Sequence, residues 1–182
     1  SKGTKKRDVR FKVGLVFQYP EYQLFEETVE KDIAYGPKNM GLSEEDIRER
    51  ILYAAHFTGI SDEMLKKSPF ELSGGQKRRV AIAGVIAMDP EILVLDDSSS
   101  ALDYKTDASL REVIRTQLSE STTIIIAQRV SSVMHADKIM VLDKGKIIGL
   151  GKHSELIENC DIWAWWDGKE GSGYEMHLCD YG

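Results

Sequence analysis

The sequence predicts an α/β fold, a layered core with a parallel sheet, on three observations. Short apolar runs that suit strands alternate with longer segments at helical spacing. Ile92 to Leu95 is a short, continuously apolar run, the pattern of a strand buried on both faces, and Thr122 to Ala127 is a β-branched counterpart. The 182 residues favour one domain, and the 42% apolar fraction is enough for a sizeable core.

The elements follow in chain order. Phe11 to Phe17 reads as a strand ended by Pro20. Ser43-Glu44-Glu45-Asp46 starts a helix with Ile47, Ile51, Leu52 and Ala55 on its inner face and Gly59 at its end. The helix-rich stretch from Glu26 to Lys67 reads as an insertion or subdomain. Ser73-x-x-Gln76 is a capping box opening a largely buried helix with Val80, Ile82, Ala83, Val85 and Ile86, closed by Asp89-Pro90. Leu110, Val113, Ile114 and Leu118 recur at helical spacing after the second strand. Ile139 to Leu142 and Lys146 to Ile148 flank Asp143-Lys144-Gly145 as a hairpin, and Ser154 caps a short helix through Ile157. From Asp161 the composition changes. All three tryptophans and several glycines lie there, which reads as a frayed tail or a non-native extension.

Charge and composition exclude several classes. With 30 acidic and 24 basic residues the net charge is −6, which repels phosphate backbones and argues against a nucleic-acid partner. No apolar run reaches the roughly 18 residues that span a bilayer. The start lacks an apolar leader segment. Cys160 and Cys179 form no metal-binding pattern, as expected for free thiols of a cytosolic protein.

Two segments carry chemistry. Leu72-Ser73-Gly74-Gly75-Gln76 opens a helix. Its glycines allow another molecule close to the backbone, and the helix start offers N–H groups to a phosphate. A plain cap is the alternative. Ile92-Leu93-Val94-Leu95-Asp96-Asp97 delivers two carboxylates to the end of a sheet, where α/β proteins bind ligands and Mg²⁺ is held through water. A strand ending in a polar turn is the alternative there.

With Ser100-Ala101-Leu102-Asp103 following, and Gln18 after the strand VGLVF, these segments resemble the nucleotide-binding domain of ATP-binding-cassette (ABC) transporters over residues 8–160. LSGGQ matches the family signature, ILVLDD its Walker B strand, SALD its D-loop and Gln18 its Q-loop glutamine. The resemblance implies a partial P-loop NTPase (RecA-like) core with a parallel sheet, plus an α-helical ABC subdomain over about 21–88. Residues 161–182 fall outside it as an atypical tail. It implies ATP and Mg²⁺ as cofactors. The partners would be a second ABC ATPase domain, in a homo- or heterodimer, and transmembrane transporter subunits. The location would be peripheral, on the cytoplasmic face of the cell membrane. Asp96 would hold Mg²⁺ through water. Gln18 would sense the γ-phosphate and metal. Ser73, Gly74, Gly75 and Gln76 would close over the ATP of the partner, with Asp103 beside the nucleotide.

Three features depart from the family. No G-x-x-x-x-G-K-[ST] loop occurs in the 182 residues, so the phosphate cradle and the upstream adenine-stacking aromatic are expected before Ser1. This chain alone is expected to bind Mg-ATP negligibly and to be inactive. Asp97 stands where the family carries a glutamate base, one methylene longer, and catalysis is sensitive to about 1 Å. Gln128 stands where the family's switch histidine sits, and cannot become charged. Together they resemble the degenerate site of heterodimeric exporters, with the intact LSGGQ serving the opposite site.

The two halves resemble different branches. Residues 8–97 look like energy-coupling-factor ATPases of vitamin and metal-ion uptake. Residues 98–160 look like heterodimeric multidrug-type exporter domains. The implied function is ATP hydrolysis coupled to solute transport, with an importer-type partner favoured. The alternatives are a non-catalytic fragment supplying LSGGQ in trans, a soluble ABC ATPase of DNA repair or translation, and a non-functional chimeric product.

Overall fold

The computed structural model describes residues 6–96 and 121–170. Two compact units divide the chain, residues 1–126 and residues 127–182.

In the first unit a basic helix, α1 (Lys6–Lys12), runs directly into strand β1 (Val13–Val16). The strand is shorter than the expected Phe11 to Phe17. Only Val13 to Val16 find partners, in parallel register with Ile92 to Leu95, and a strand extends no further than its ladder. Phe11 and Lys12 finish the helix, and Phe17 lies beyond the ladder, about half exposed.

Strands β2 (Ile92–Asp96) and β3 (Thr122–Ile126) complete a parallel sheet of order β1-β2-β3. All three carboxyl ends therefore lie along one edge. The side chains of β2 alternate, with Leu93 and Leu95 buried and Ile92 and Val94 only half-buried. On the latter face Leu15 is 39% exposed and Ile124 49%. This corrects the expectation of a strand buried on both faces. Among the described residues one face alone is fully covered, and a continuous apolar run does not reveal which.

Helices α2 (Val29–Met40), α3 (Glu44–Thr58), α4 (Asp62–Leu65) and α5 (Gly74–Ile86) fill the stretch between β1 and β2. Ser43 Oγ accepts the Asp46 N–H at 3.1 Å to start α3, and Gly59, at φ 69°, ends it in the left-handed conformation. Ile47, Ile51, Ala54 and Ala55 face inward, but Leu52 is 48% exposed, contrary to expectation. A step of one residue turns a helix about 100°, which carries Leu52 off the face that holds Ile51. Pro69–Glu71 is a 3-10 turn leading to α5.

The body of α5 packs against β1, α2 and α3. Val80, Ile82, Ala83 and Ile86 join Val16, Leu93, Leu95, Ile33 and Ala54 in one hydrophobic core. The helical stretch thus shares its core with the sheet. The seam between α5 and β1 is very close. A Cβ on Gly14 would fall 2.6 Å from Val85 Cγ1.

In the second unit β4 (Ile139–Asp143) and β5 (Lys146–Gly151) form the expected antiparallel hairpin, turning at Lys144 and Gly145 with φ 48° and 76°. Helices α6 (His153–Asn159) and α7 (Asp161–Glu170) follow. Ser154 is not the cap of α6. Lys152 holds that position, its backbone N–H donating to the Glu155 carboxylate at 2.8 Å, so the helix starts two residues earlier.

The expected frayed tail is helical over Asp161–Glu170. Trp163 is 3% exposed within a core of Val130, Ile139, Val141, Leu156 and Cys160, and its Nε1 donates to His153 Nδ1 at 3.2 Å. A tryptophan is buried where its N–H finds an acceptor, and His153 supplies one. The helix expected around Leu110 to Leu118 lies outside the described residues.

Candidate functional site

The site is built at the start of α5 and at the carboxyl ends of β1 and β2. Ser73 caps α5 reciprocally with Gln76. Its Oγ accepts the Gln76 N–H at 3.4 Å, while Gln76 Oε1 accepts the Ser73 N–H at 2.9 Å. The carboxamide of Gln76 is therefore engaged within the cap. Ser73, Gly74 and Gly75 form the exposed part of the turn.

Gly74 and Gly75 occupy the first two positions of α5, and a Cβ at either would meet nothing within 4 Å. Neither has the positive φ that favours glycine. Glycine within a helix costs up to about 1 kcal/mol relative to alanine. No close approach among the described residues calls for it here. The first N–H groups of a helix lack intrahelical partners and sit at its positive end, so this open, uncrowded turn suits a phosphate oxygen brought in from outside.

Gln18 follows β1 by two residues and is half-buried, and a 3-10 turn, Pro20–Gln23, comes after it. Its main-chain oxygen accepts a hydrogen bond from Nη2 of Arg78, which is only 2% exposed. The far end of this loop is fixed from α2. Asp32 accepts the Glu26 N–H at 3.1 Å and the Phe25 N–H at 3.4 Å. Burial pushes the Asp32 carboxyl above its ordinary value, against the lowering effect of those two N–H groups. The Phe25 ring meets Tyr35 edge to face at 4.8 Å between centroids.

Asp96 is the last residue of β2, half-buried. In the register of β1 with β2, Val16 lies opposite Leu95, so Asp96 and Gln18 emerge at neighbouring ends of the same sheet edge. Their oxygens are the hard donors that a hydrated Mg²⁺ takes, and they fit such an ion bound mostly through water. Among the described residues no group of three or more His, Cys, Asp and Glu side chains is gathered as a metal cage. Gln128 lies two residues beyond β3, exposed, at the start of the second unit. Asp97 and Asp103 lie outside the described residues.

Arg78 was not among the sequence candidates. Its signal is a charged residue at the fifth position of a capped helix, just ahead of an apolar run.

The ABC transporter family model matches residues 1–100, more than half of the chain. The chain belongs to the ABC transporter family.

Curated relatives agree. The energy-coupling factor transporter ATP-binding protein EcfA2 of Caldanaerobacter subterraneus subsp. tengcongensis is 50% identical over 158 residues, covering 85% of this chain and 55% of the relative. EcfA2 of Clostridium tetani is 51% identical over 164 residues, covering 88% and 57%. The chain thus spans little more than half the length of these relatives. Both matches must cross Asp97, so the likeness to EcfA2 is not confined to residues 8–97.

Among solved structures, a bacterial Atm1-family ABC exporter with ATP bound superposes with a TM-score of 0.76 at 30% identity, covering 92% of this chain and 30% of the exporter. The structure of cbiO1 from Clostridium perfringens, part of the ABC transporter complex cbiONQ, gives 0.68 at 30% identity, covering 88% and 69%. These likenesses agree with a P-loop NTPase fold of ABC type. No described helix is long and apolar enough to cross a membrane.

Proposed function

We propose that this chain is part of the ATP-hydrolysing subunit of an ABC transporter, and that it supplies Ser73, Gly74 and Gly75 to an ATP bound by a second ABC ATPase domain. The observation that carries this reading is the first turn of α5. Two glycines stand in open space at a capped, exposed helix start, where no neighbour among the described residues requires them. Gln76 serves the same ATP indirectly, by holding the turn in shape through its bond to Ser73.

At the other end of the molecule's chemistry, Asp96 and Gln18 would hold Mg²⁺ through water. When bound, the ion neutralises charge on the phosphate oxygens. Asp97 would orient the attacking water with less reach than a glutamate, and Gln128 would hydrogen-bond the γ-phosphate without carrying charge. Asp103 would lie beside the nucleotide. Turnover is therefore assigned to the opposite site, which this chain's glycine turn completes. The names of the relatives, energy-coupling factor ATP-binding proteins and a component of cbiONQ, support separate transmembrane subunits as partners and a peripheral position at the membrane.

The test is to add the full 182-residue chain to an ABC ATPase domain that carries its own phosphate-binding loop. The ATP turnover of that domain should rise with a saturable dependence on the added chain. A turnover unchanged at saturating chain overturns the proposal.

A further inference from the structure

The Ser73–Gln76 turn and Gln18 belong to two different candidate contacts, yet one side chain joins them. Arg78 lies five residues past Ser73, the cap of α5, and its guanidinium donates to the main-chain oxygen of Gln18, 60 residues away in sequence. With 2% of its surface exposed, it is among the largest fully buried side chains of the described residues. Placing a guanidinium inside a protein is expensive unless its donors are satisfied, so packing alone is a poor reason for arginine here. What arginine offers is a rigid planar fork that fixes the position of the oxygen it meets.

The position of that oxygen matters. The ladder of β1 with β2 ends at Val16, so Gln18 lies past the reach of the sheet's own register. The donor end is equally well defined. Helix α5 is locked at its start by the reciprocal bonds of Ser73 and Gln76 and along its body by the shared core. Ser73 and Arg78 are separated by little more than one helical turn, within which a capped helix moves as a unit.

We propose that Arg78 is a positioning residue that couples the Ser73–Gly75 turn to Gln18, so that a displacement at one is transmitted to the other. Given the function proposed above, this joins a contact to the partner's ATP with a contact to the chain's own nucleotide site inside one polypeptide. Proximity by itself does not establish coupling, which has to be measured as non-additivity.

The experiment uses the full chain, without nucleotide or partner, and reads backbone amide chemical shifts. Ser73→Ala removes the cap acceptor and perturbs the first turn of α5. In the parent sequence this should shift the amides of Gln18 and Tyr19 as well as those of Gln76 and Lys77. In an Arg78→Met background, which keeps an unbranched side chain but no donor, the shifts at Gln76 and Lys77 should persist. Those at Gln18 and Tyr19 should fall to the background seen at Ile33. Should the Met variant fail to fold, Arg78→Lys keeps one charged donor without the fork, and the Gln18 response should be reduced with the Gln76 response intact. Equal responses at Gln18 with and without Arg78, or no response in the parent sequence, overturn the proposal. The readout needs no ATP turnover, so failure of the functional reading and failure of this coupling are told apart.

Discussion

Glycine appears at two places along α5 for opposite reasons. Against the side of the helix, Gly14 of β1 faces Val85 and Pro90, and a Cβ there would sit 2.6 Å from Val85 Cγ1 and 3.0 Å from Pro90 Cγ. At the tip of the helix, Gly74 and Gly75 face open space to at least 4 Å. The first glycine is demanded by packing and can be accounted for without leaving the chain. The second pair lowers helix stability, and no neighbour among the described residues explains it. A glycine whose reason is absent from its own fold points to a surface that another molecule approaches.

The largest expected effect breaks the first half of this contrast. Gly14→Ala must push Val85 or Pro90 aside, and overpacking of this kind typically costs about 1–3 kcal/mol. The urea midpoint should fall accordingly. An unchanged midpoint would mean that the seam between β1 and α5 is looser than its contacts indicate.

The next effect has the opposite sign. Gly75→Ala meets no neighbour and adopts ordinary helical backbone, so it should stabilise the chain by about 0.5–1 kcal/mol, chiefly by restricting the unfolded state. The same substitution should abolish the chain's stimulation of a partner ATPase. Gain of stability with loss of function is the mark of a contact glycine. Loss of both would return Gly75 to the packing class.

What the sequence made legible divides along similar lines. Features fixed by neighbours in the chain were readable. The Ser73–Gln76 box, the Ser43 cap, Gly59 as a helix end and the Lys144-Gly145 turn all rest on spacings of a few residues. Features fixed across the fold were not. Arg78 finds its acceptor 60 residues upstream, Trp163 finds His153 ten residues back through a helix-to-helix packing, and the length of β1 is set by which of its residues pair with Ile92 to Leu95 of β2. Hydrophobicity showed that β2 is an inner strand, but it could not assign cover to each face. Leu93 and Val94 are equally apolar, and their burial differs only because α5 and the shared core lie on one side.

The smallest effect sharpens the account of the loop that begins at Gln18. Asp32 holds the far end of that loop through the Phe25 and Glu26 N–H groups. Desolvation nevertheless leads, and the Asp32 carboxyl is raised above its ordinary value of 3.8. In the folded chain it therefore keeps its proton to a higher pH than in the unfolded chain. Between 3.8 and the raised folded value the native state binds more protons, so the contribution of Asp32 to stability declines as pH rises through that window and is level on either side. Asp32→Asn removes this titration. It also leaves one of the two N–H groups without an oxygen, but that loss does not vary with pH. The signature is therefore in the difference between parent and variant urea midpoints across the window. The variant should gain on the parent as pH increases, whatever its starting deficit. A variant that loses ground with rising pH would show that the two N–H bonds outweigh burial, and that ionised Asp32 is a net support of the loop.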